Sequence, residues 1–274
     1  MGKRMKSILI NLELIFVSLI VLVPVFWIVI SSFHKGNGLA SSTLIPKVLS
    51  LDNYRRLFEE TSYITWFKNS LSIALLNSFL SVMLIMVTAW VVSRFHFKGK
   101  KNGLMIMLIL SMFPSFLSMT AIYTLFMTFG LNKTPLALVI IYSTGAIPYN
   151  VWLVKGYLDG ISTSLDEAAY IDGSTKFYTF VKIILPLSKP IIVYCAVSQF
   201  MMPWMDYILP NLLFSGESTK TVAVGLYSMI TGNENSNFTL FAAGAVLIAI
   251  PITILYLIFQ SYLVEGISSG ANKG

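Results

Sequence analysis

Two stretches of this sequence hold side chains whose types and spacing can do chemistry. The first is the polar run from Ser164 to Pro190, headed by Ser164, Asp166 and Glu167. Ser164 followed three residues later by Glu167 has the spacing of a capping box, in which the hydroxyl accepts one free N–H at a helix start and the carboxylate another. Asp166 and Glu167 also suit the positive end of a helix dipole. The second stretch surrounds Asp206 in Met202-Pro203-Trp204-Met205-Asp206-Tyr207, inside a long apolar run. An acid at bilayer depth costs about 2.5–3.5 kcal/mol on insertion scales, so it faces a bundle interior or water. Two readings of Asp206 stand: a hydrogen-bond acceptor for a polar ligand with Trp204 or Tyr207 stacked on a ring of it, or a group that reaches water or a neighbouring helix. Asn150, beside Pro148, is open to the same choice between lining a cavity and packing. The remaining reactive types form no set. His34 and His96 lie far apart, and Cys195 stands alone in an apolar run, which gives neither a disulfide nor a metal spacing. Gly99-Lys100-Lys101 lacks the first glycine and the hydroxyl of the phosphate-cradling G-x-x-x-x-G-K-[ST] loop. No catalytic set and no cofactor site is expected in this chain.

The elements that position these residues follow from composition. Of 274 residues 56% are apolar and 11% charged, against roughly 25% charged in a soluble domain. The net charge of +7 raises nucleic acid as a partner, but the Lys and Arg sit in short runs between apolar segments, as orienting charges do. Six apolar runs reach the length of about 20 residues that a bilayer requires: 8–30, 67–92, 104–129, 135–154, 190–213 and 238–263. The first follows Lys3, Arg4 and Lys6, yet it is too long for a signal peptide and reads as a retained helix. Placing the N-terminus inside puts 12 of the 19 Lys and Arg on the cytoplasmic side, so both termini and the polar run 164–190 are expected there. The fold class is an all-α integral membrane protein with six transmembrane helices, multi-pass in the plasma membrane, with lipid and not nucleic acid around it. Asp52 is expected to cap a short helix over 53–58 in the outer loop. Residues 215–237, rich in Ser, Thr, Asn and Gly, read as loop. Prolines within the spans, Pro203 among them, require other groups to satisfy the carbonyls they free.

Within the polar run the pattern predicts two helices. One runs to Asp172, with Gly173 as a left-handed stop and Leu165, Ala168, Ala169 and Asp172 on a shared face. The two alanines would make that face low enough for another backbone to come close. The other begins near Ser174 or Thr175, carries Phe177, Phe180, Val181 and Ile184 on one face, and ends at Pro186 and Pro190. A plain amphipathic connector has the same pattern as a docking element.

Glu167-Ala168-Ala169, Asp172-Gly173, nine residues, then Ile183 and Leu185-Pro186 resemble the signature of permease subunits of bacterial ABC importers. The resemblance covers nearly the whole chain and is closest to the carbohydrate branch. Leu51-Asp52-Asn53-Tyr54, Asn69-Ser70-Leu71, Ser93-Arg94-Phe95 and Met112-Phe113-Pro114 are similar to motifs of that branch. Phe259-Gln260-Ser261-Tyr262-Leu263-Val264 with Gly266, Gly270 and Lys273 resembles the tail of the smaller of two paired sugar permeases. Ile161-Ser162, where relatives carry Ile-Pro, and Ser174, where Ala is usual, depart from the pattern.

The resemblance implies a type I ABC importer permease fold. It implies a first helix and outer loop over 1–66, a five-helix core over 67–263 with coupling helices at 164–186, and a cytoplasmic tail over 264–274. It implies partners: a second, larger permease, two ATP-binding subunits that carry ATP and Mg, and an external solute-binding protein. The residues carried over for ATPase coupling are Ser164, Asp166, Glu167, Ala168, Ala169, Asp172, Gly173, Leu185 and Pro186. Gly266, Gly270 and Lys273 are implied as tail contacts, and maltodextrin-like oligosaccharides as solutes. An ion-coupled secondary transporter and an ABC permease for a non-sugar solute are the alternative readings.

Overall fold

The computed structural model describes residues 3–36, 48–131, 134–214, 216–231 and 237–271. Every element among them is helical: α1 (Lys3–Ser32), α2 (Asp52–Glu60), α3 (Tyr63–Arg94), α4 (Lys100–Ser111), α5 (Ser115–Thr128), α6 (Pro135–Leu158), α7 (Ser164–Ile171), α8 (Lys176–Thr179), a π-helical turn Phe180–Ile184, α9 (Leu185–Leu187), α10 (Lys189–Met205), α11 (Ile208–Leu213), α12 (Val222–Thr231) and α13 (Phe238–Ala271). Four helices, Arg4–Ser32, Tyr63–Arg94, Pro135–Leu158 and Phe238–Gly266, are long and apolar enough to cross a membrane, and two bent pairs bring the number to at most six.

The expected third span is two helices, α4 and α5, bent by 100° at Met112-Phe113-Pro114. Pro114 sits extended at the head of α5 with φ −60° and ψ 115°, outside helical geometry. The expected fifth span is also divided. α10 stops at Met205, Asp206 is extended, and α11 follows. Residues 215–237, expected as loop, contain α12, because Val222, Val224, Leu226 and Met229 are apolar side chains that become buried, which the polar flanks conceal in composition.

The chain divides into two compact units, Met1–Ile64 with Val224–Pro251, and Thr65–Ala223 with Ile252–Gly274. In the first, Asn53 is the joint. Its Nδ2 donates to the carbonyls of Ser32 at 2.9 Å and His34 at 2.7 Å, and its Oδ1 accepts from Thr239 Oγ1 at 3.2 Å. One buried amide thereby ties the end of α1, the start of α2 and the start of α13. Asp52 does not cap α2, which begins at Asp52 itself. The Ser50 hydroxyl accepts the Asp52 N–H instead.

In the second unit α3 is the rail to which other helices are fastened. Lipid tails are as apolar as leucine, so close packing and polar contacts hold helices together in a membrane. Ile85, Ala89 and Trp90 of α3 pack with Val151, Val154 and Leu158 of α6, with Phe180 and Ile184, and with Ile191 and Cys195 of α10. Ser70 Oγ accepts the Val222 N–H at 2.9 Å, and Asn69 Nδ2 donates to the Ser218 and Lys220 carbonyls. Asn77 performs a specific repair. Pro203 has no N–H to give the carbonyl four residues back, Gln199. Asn77 Nδ2 donates to that carbonyl at 2.7 Å, and its Oδ1 is held by Ser81 Oγ at 3.0 Å. Ser78 adds a bond to the Ala196 carbonyl at 2.8 Å.

Asn77→Leu is therefore expected to destabilise the protein by about 1 kcal/mol. The loss should shrink in a Pro203→Ala background, where the new N–H serves Gln199. Thermal unfolding in detergent of the double-mutant cycle measures this; equal losses in both backgrounds would refute the assignment.

Candidate functional site

The site grows from the connection between α6 and α10. α7 closes with a Schellman arrangement: Ser174 N–H donates to the Ala169 carbonyl at 2.9 Å and Gly173 N–H to the Tyr170 carbonyl at 3.1 Å. Gly173 has φ +84°, a conformation in which a Cβ is costly. The start of α7 differs from the expected capping box. The helix is already entered at Thr163, which is αR with no side-chain cap, so Ser164 lies inside the first turn. Its hydroxyl meets Ser162 Oγ at 2.7 Å, and its N–H donates to that same Ser162 oxygen at 3.3 Å. No bond joins Ser164 to Glu167 among the described residues.

The face of α7 also differs from expectation. Asp166 and Ala169 point inward and are buried, while Leu165, Ala168 and Asp172 are exposed. The alanines are separated: Ala169 lets α7 approach its own bundle and Ala168 leaves the outer face low. A correction of the same kind applies to α8. Thr175 caps it, accepting the Tyr178 N–H at 3.2 Å. Phe180 and Ile184 are buried, but Phe177 is 72% exposed. The π turn, in which Leu185 N–H donates to the Phe180 carbonyl, replaces the 3.6-residue period on which the shared face depended. Pro186, unable to donate to Lys182, sits just beyond this turn. Leu185 packs partly buried against the core and Pro186 is exposed. The helices 176–187 and α10 meet at 79°.

What holds this element in place is an ion pair that local sequence pattern does not reveal. Arg94, the last residue of α3, brings Nε to 2.9 Å from Asp166 Oδ2, with side chains 8% and 7% exposed. The approach lies outside hydrogen-bond geometry and the Asp166 carboxylate takes no hydrogen bond among the described residues, so the attraction is Coulombic. Arg94 Nη2 also donates to the Ile161 carbonyl at 2.9 Å. Around it, Ser93 Oγ donates to Asp159 Oδ1 at 2.7 Å, Lys155 Nζ pairs with Asp159 Oδ2 at 2.6 Å, and Tyr157 donates to the Leu187 carbonyl. Trp90 stacks on Phe180 with centroids 4.5 Å apart, and Lys176 Nζ stands 4.8 Å over the Phe95 ring. Burial, and then the Asp166 charge, push the nearby Tyr170 phenol above its ordinary pKa, with Arg94 opposing. The result is a knob fixed at its base, with Leu165, Ile171, Phe177 and Tyr178 exposed on it at 42%, 86%, 72% and 53%.

The Asp206 region forms a second locus. A cavity of about 700 Å³ is lined by α5, α6, α10 and α11, with Ser118, Tyr142, Thr144, Gln199 and Asp206 as its polar groups. Asp206 is engaged from both sides: Oδ2 accepts from Tyr142 Oη at 2.7 Å, and Oδ1 accepts the N–H groups of Ile208 at 2.9 Å and Leu209 at 3.3 Å. Trp204 is buried against Phe67 and Phe200, and Asn150 is buried and donates to the Ala146 carbonyl at 2.8 Å. Of Trp204, Asp206, Tyr207 and Asn150, the cavity lining includes Asp206 alone. Sequence reasoning missed Tyr142 and Gln199; the only cue was Gln199 lying four residues before Pro203. Of the tail glycines, Gly266 is where α13 meets α10, and a Cβ there would lie 3.0 Å from Tyr194 Cβ and 3.1 Å from the Pro190 carbonyl. Gly270 lies within α13 and Lys273 lies outside the described residues.

Residues 81–269 match the family described as binding-protein-dependent transport system inner membrane component. The chain is 37% identical to the galactooligosaccharides transport system permease protein GanQ of Bacillus subtilis (strain 168), covering 96% of this chain and 94% of that protein. It is 37% identical to the maltodextrin transport system permease protein MdxG of the same organism, over 100% and 98%. A chain of the crystal structure of a bacterial ABC transporter involved in the import of the acidic polysaccharide alginate shares the fold, with TM-score 0.82, 22% identity and coverage of 96% and 98%.

The two-sided engagement of Asp206 predicts that Asp206→Ala destabilises by about 1 kcal/mol through loss of the acceptor at the head of α11. Asp206→Asn, which keeps an acceptor, should stay close to the parent. Thermal unfolding of the two variants measures this, and equal losses would show that capping is not the role of the carboxylate.

Proposed function

Because the chain belongs to the family of binding-protein-dependent transport system inner membrane components, we propose that it is the permease subunit of an ATP-driven importer of oligosaccharides. It is a transport component of the membrane and not an enzyme. It forms the translocation path with a second permease, receives solute from an external binding protein, and is driven by two ATP-binding subunits that hold ATP and Mg. Six spans cross the membrane, α4–α5 and α10 each completing one, with both termini and the α7–α8 knob in the cytoplasm. The names of the relatives, galactooligosaccharides and maltodextrin permeases, support the solute class.

The observation that carries the reading is the knob itself: an exposed apolar ridge, Leu165, Ile171, Phe177 and Tyr178, on an element fastened by buried contacts at its base. Large apolar side chains in contact with water mark a surface that another protein covers. Ser164, Glu167, Ala168, Asp172 and Gly173 shape that surface, while Asp166, Ala169 and Leu185 hold it to the bundle and Pro186 lies at its far end. On the opposite side of the membrane, the Asp206 cavity is the candidate path for solute. Trp204 and Asn150 support its walls from behind, and Tyr207 adjoins the break in the helix. The described part of the tail, 264–271 with Gly266 and Gly270, belongs to the ATPase side.

Ile171→Asp places a charge on the most exposed apolar residue of the ridge. The variant is expected to insert normally and to lose most of the co-purifying ATPase, with uptake into vesicles falling in step. Retention of ATPase and uptake at the parent level would refute docking through this ridge.

A further inference from the structure

We infer that Arg94 is a positioning residue for energy transfer, and that its buried pair with Asp166 makes the α7 knob move as one body with α3. The inference rests on the coupling reading above and goes beyond it, because it names the contact by which force leaves the knob.

α7 is joined to the membrane helices through residues 159–163 on one side and through Gly173 and the π turn on the other. Neither is a continuous helix, so a push on the knob reaches the bundle chiefly through non-covalent contacts. Those contacts are few and concentrated. Ala169 packs inward without a polar anchor. The aromatic stack of Trp90 on Phe180 fixes the element after the knob. Of the inward-facing side chains of α7, Asp166 is the one that carries charge, and it meets the terminal residue of α3 at 2.9 Å.

Arg94 also reaches the Ile161 carbonyl, so a single guanidinium holds both α7 and the strap leading into it. Its position at the end of a 32-residue helix is what makes it a transmitter: displacement of Arg94 along the α3 axis displaces the whole rail. That rail bonds α10 through Asn77 and Ser78, and Asn77 grips the backbone carbonyl of Gln199, a residue that lines the Asp206 cavity. The route knob, Asp166, Arg94, α3, Asn77, α10, cavity is a chain of direct contacts from end to end. A buried ion pair suits this task because it resists both sliding and separation, and the alternative of two unpaired buried charges is prohibitive.

The test uses the complete assembly, both permeases, the ATPase pair and the binding protein, in proteoliposomes. Asp166→Asn and Arg94→Gln are expected to keep the ATPase bound, since the exposed ridge is untouched. Solute imported per ATP hydrolysed should fall roughly fivefold or more, the lower end of typical coupling energies. The exchange Arg94→Asp with Asp166→Arg should recover part of that ratio, which a loss of stability alone would not produce. If the neutral variants fail to insert, Arg94→Lys carries the test: it keeps the charge, loses the bond to Ile161, and should give an intermediate ratio. A parental ratio in every variant that inserts would overturn the inference and leave docking intact. Loss of the bound ATPase from Asp166→Asn would also overturn it, by showing that the carboxylate serves the partner, whereas failure of the docking reading itself would appear as ATPase binding indifferent to Ile171→Asp.

Discussion

A carboxylate withdrawn from water needs a cation beside it, and for Asp166 that cation is Arg94. The constraint is demanding because the geometry offers the carboxylate no hydrogen bond in compensation. Its neutralisation therefore depends on α3 ending where it does. From this follow the inward rotation of α7, the burial of Ala169 beside Asp166, and the outward placement of Leu165, Ala168 and Ile171. The apolar ridge is the remainder: once the acid faces inward, the greasy side chains face outward. The charge pattern is the reverse of what a soluble helix would show, and it is explained by where the bundle lies.

The membrane part obeys a related rule. At two breaks in its helices, Pro203 and Asp206, polar side chains satisfy the exposed backbone. Pro203 frees the Gln199 carbonyl and Asn77 takes it. The chain leaves helical geometry at Asp206, and that carboxylate caps the helix that resumes while Tyr142 steadies it from α6. Polar residues in the spans are thus mainly structural, which is how irregular backbone survives at depth. The cavity beside Asp206 is built from the same irregularity: a continuous α10 would have no break from which to form a wall.

Much of the architecture was legible in the sequence, for reasons that differ by element. The long apolar runs of α1, α3, α6 and α13 could be read from length alone. Gly173 was legible because a left-handed stop needs a residue without Cβ. The family signature made the 164–186 region stand out. What failed was rotation and pairing. The i, i+3, i+4 spacing places Ala168 and Ala169 on one broad face, but only the location of the bundle decides which of them is buried. The π turn changes the period under Phe177 and leaves no mark in local composition. Arg94 read as an orienting charge, since nothing near it in the chain points to Asp166. α12 was hidden by the polar residues that flank it. The Asp206 question stayed open in the sequence because Tyr142 is a partner from another helix.

The central claim is that the knob and α3 form one body. The direct measurement is the distance between spin labels on Ser164→Cys in α7 and Val87→Cys in α3, taken by pulsed electron paramagnetic resonance on the full assembly without nucleotide and with trapped ATP. Both sites are exposed and the native Cys195 is buried. The account predicts one narrow distance distribution that is the same in both states, even as each label moves relative to the partner permease. A distribution that broadens or shifts by several ångströms on ATP binding would show the knob swinging independently of α3, and the account would be wrong.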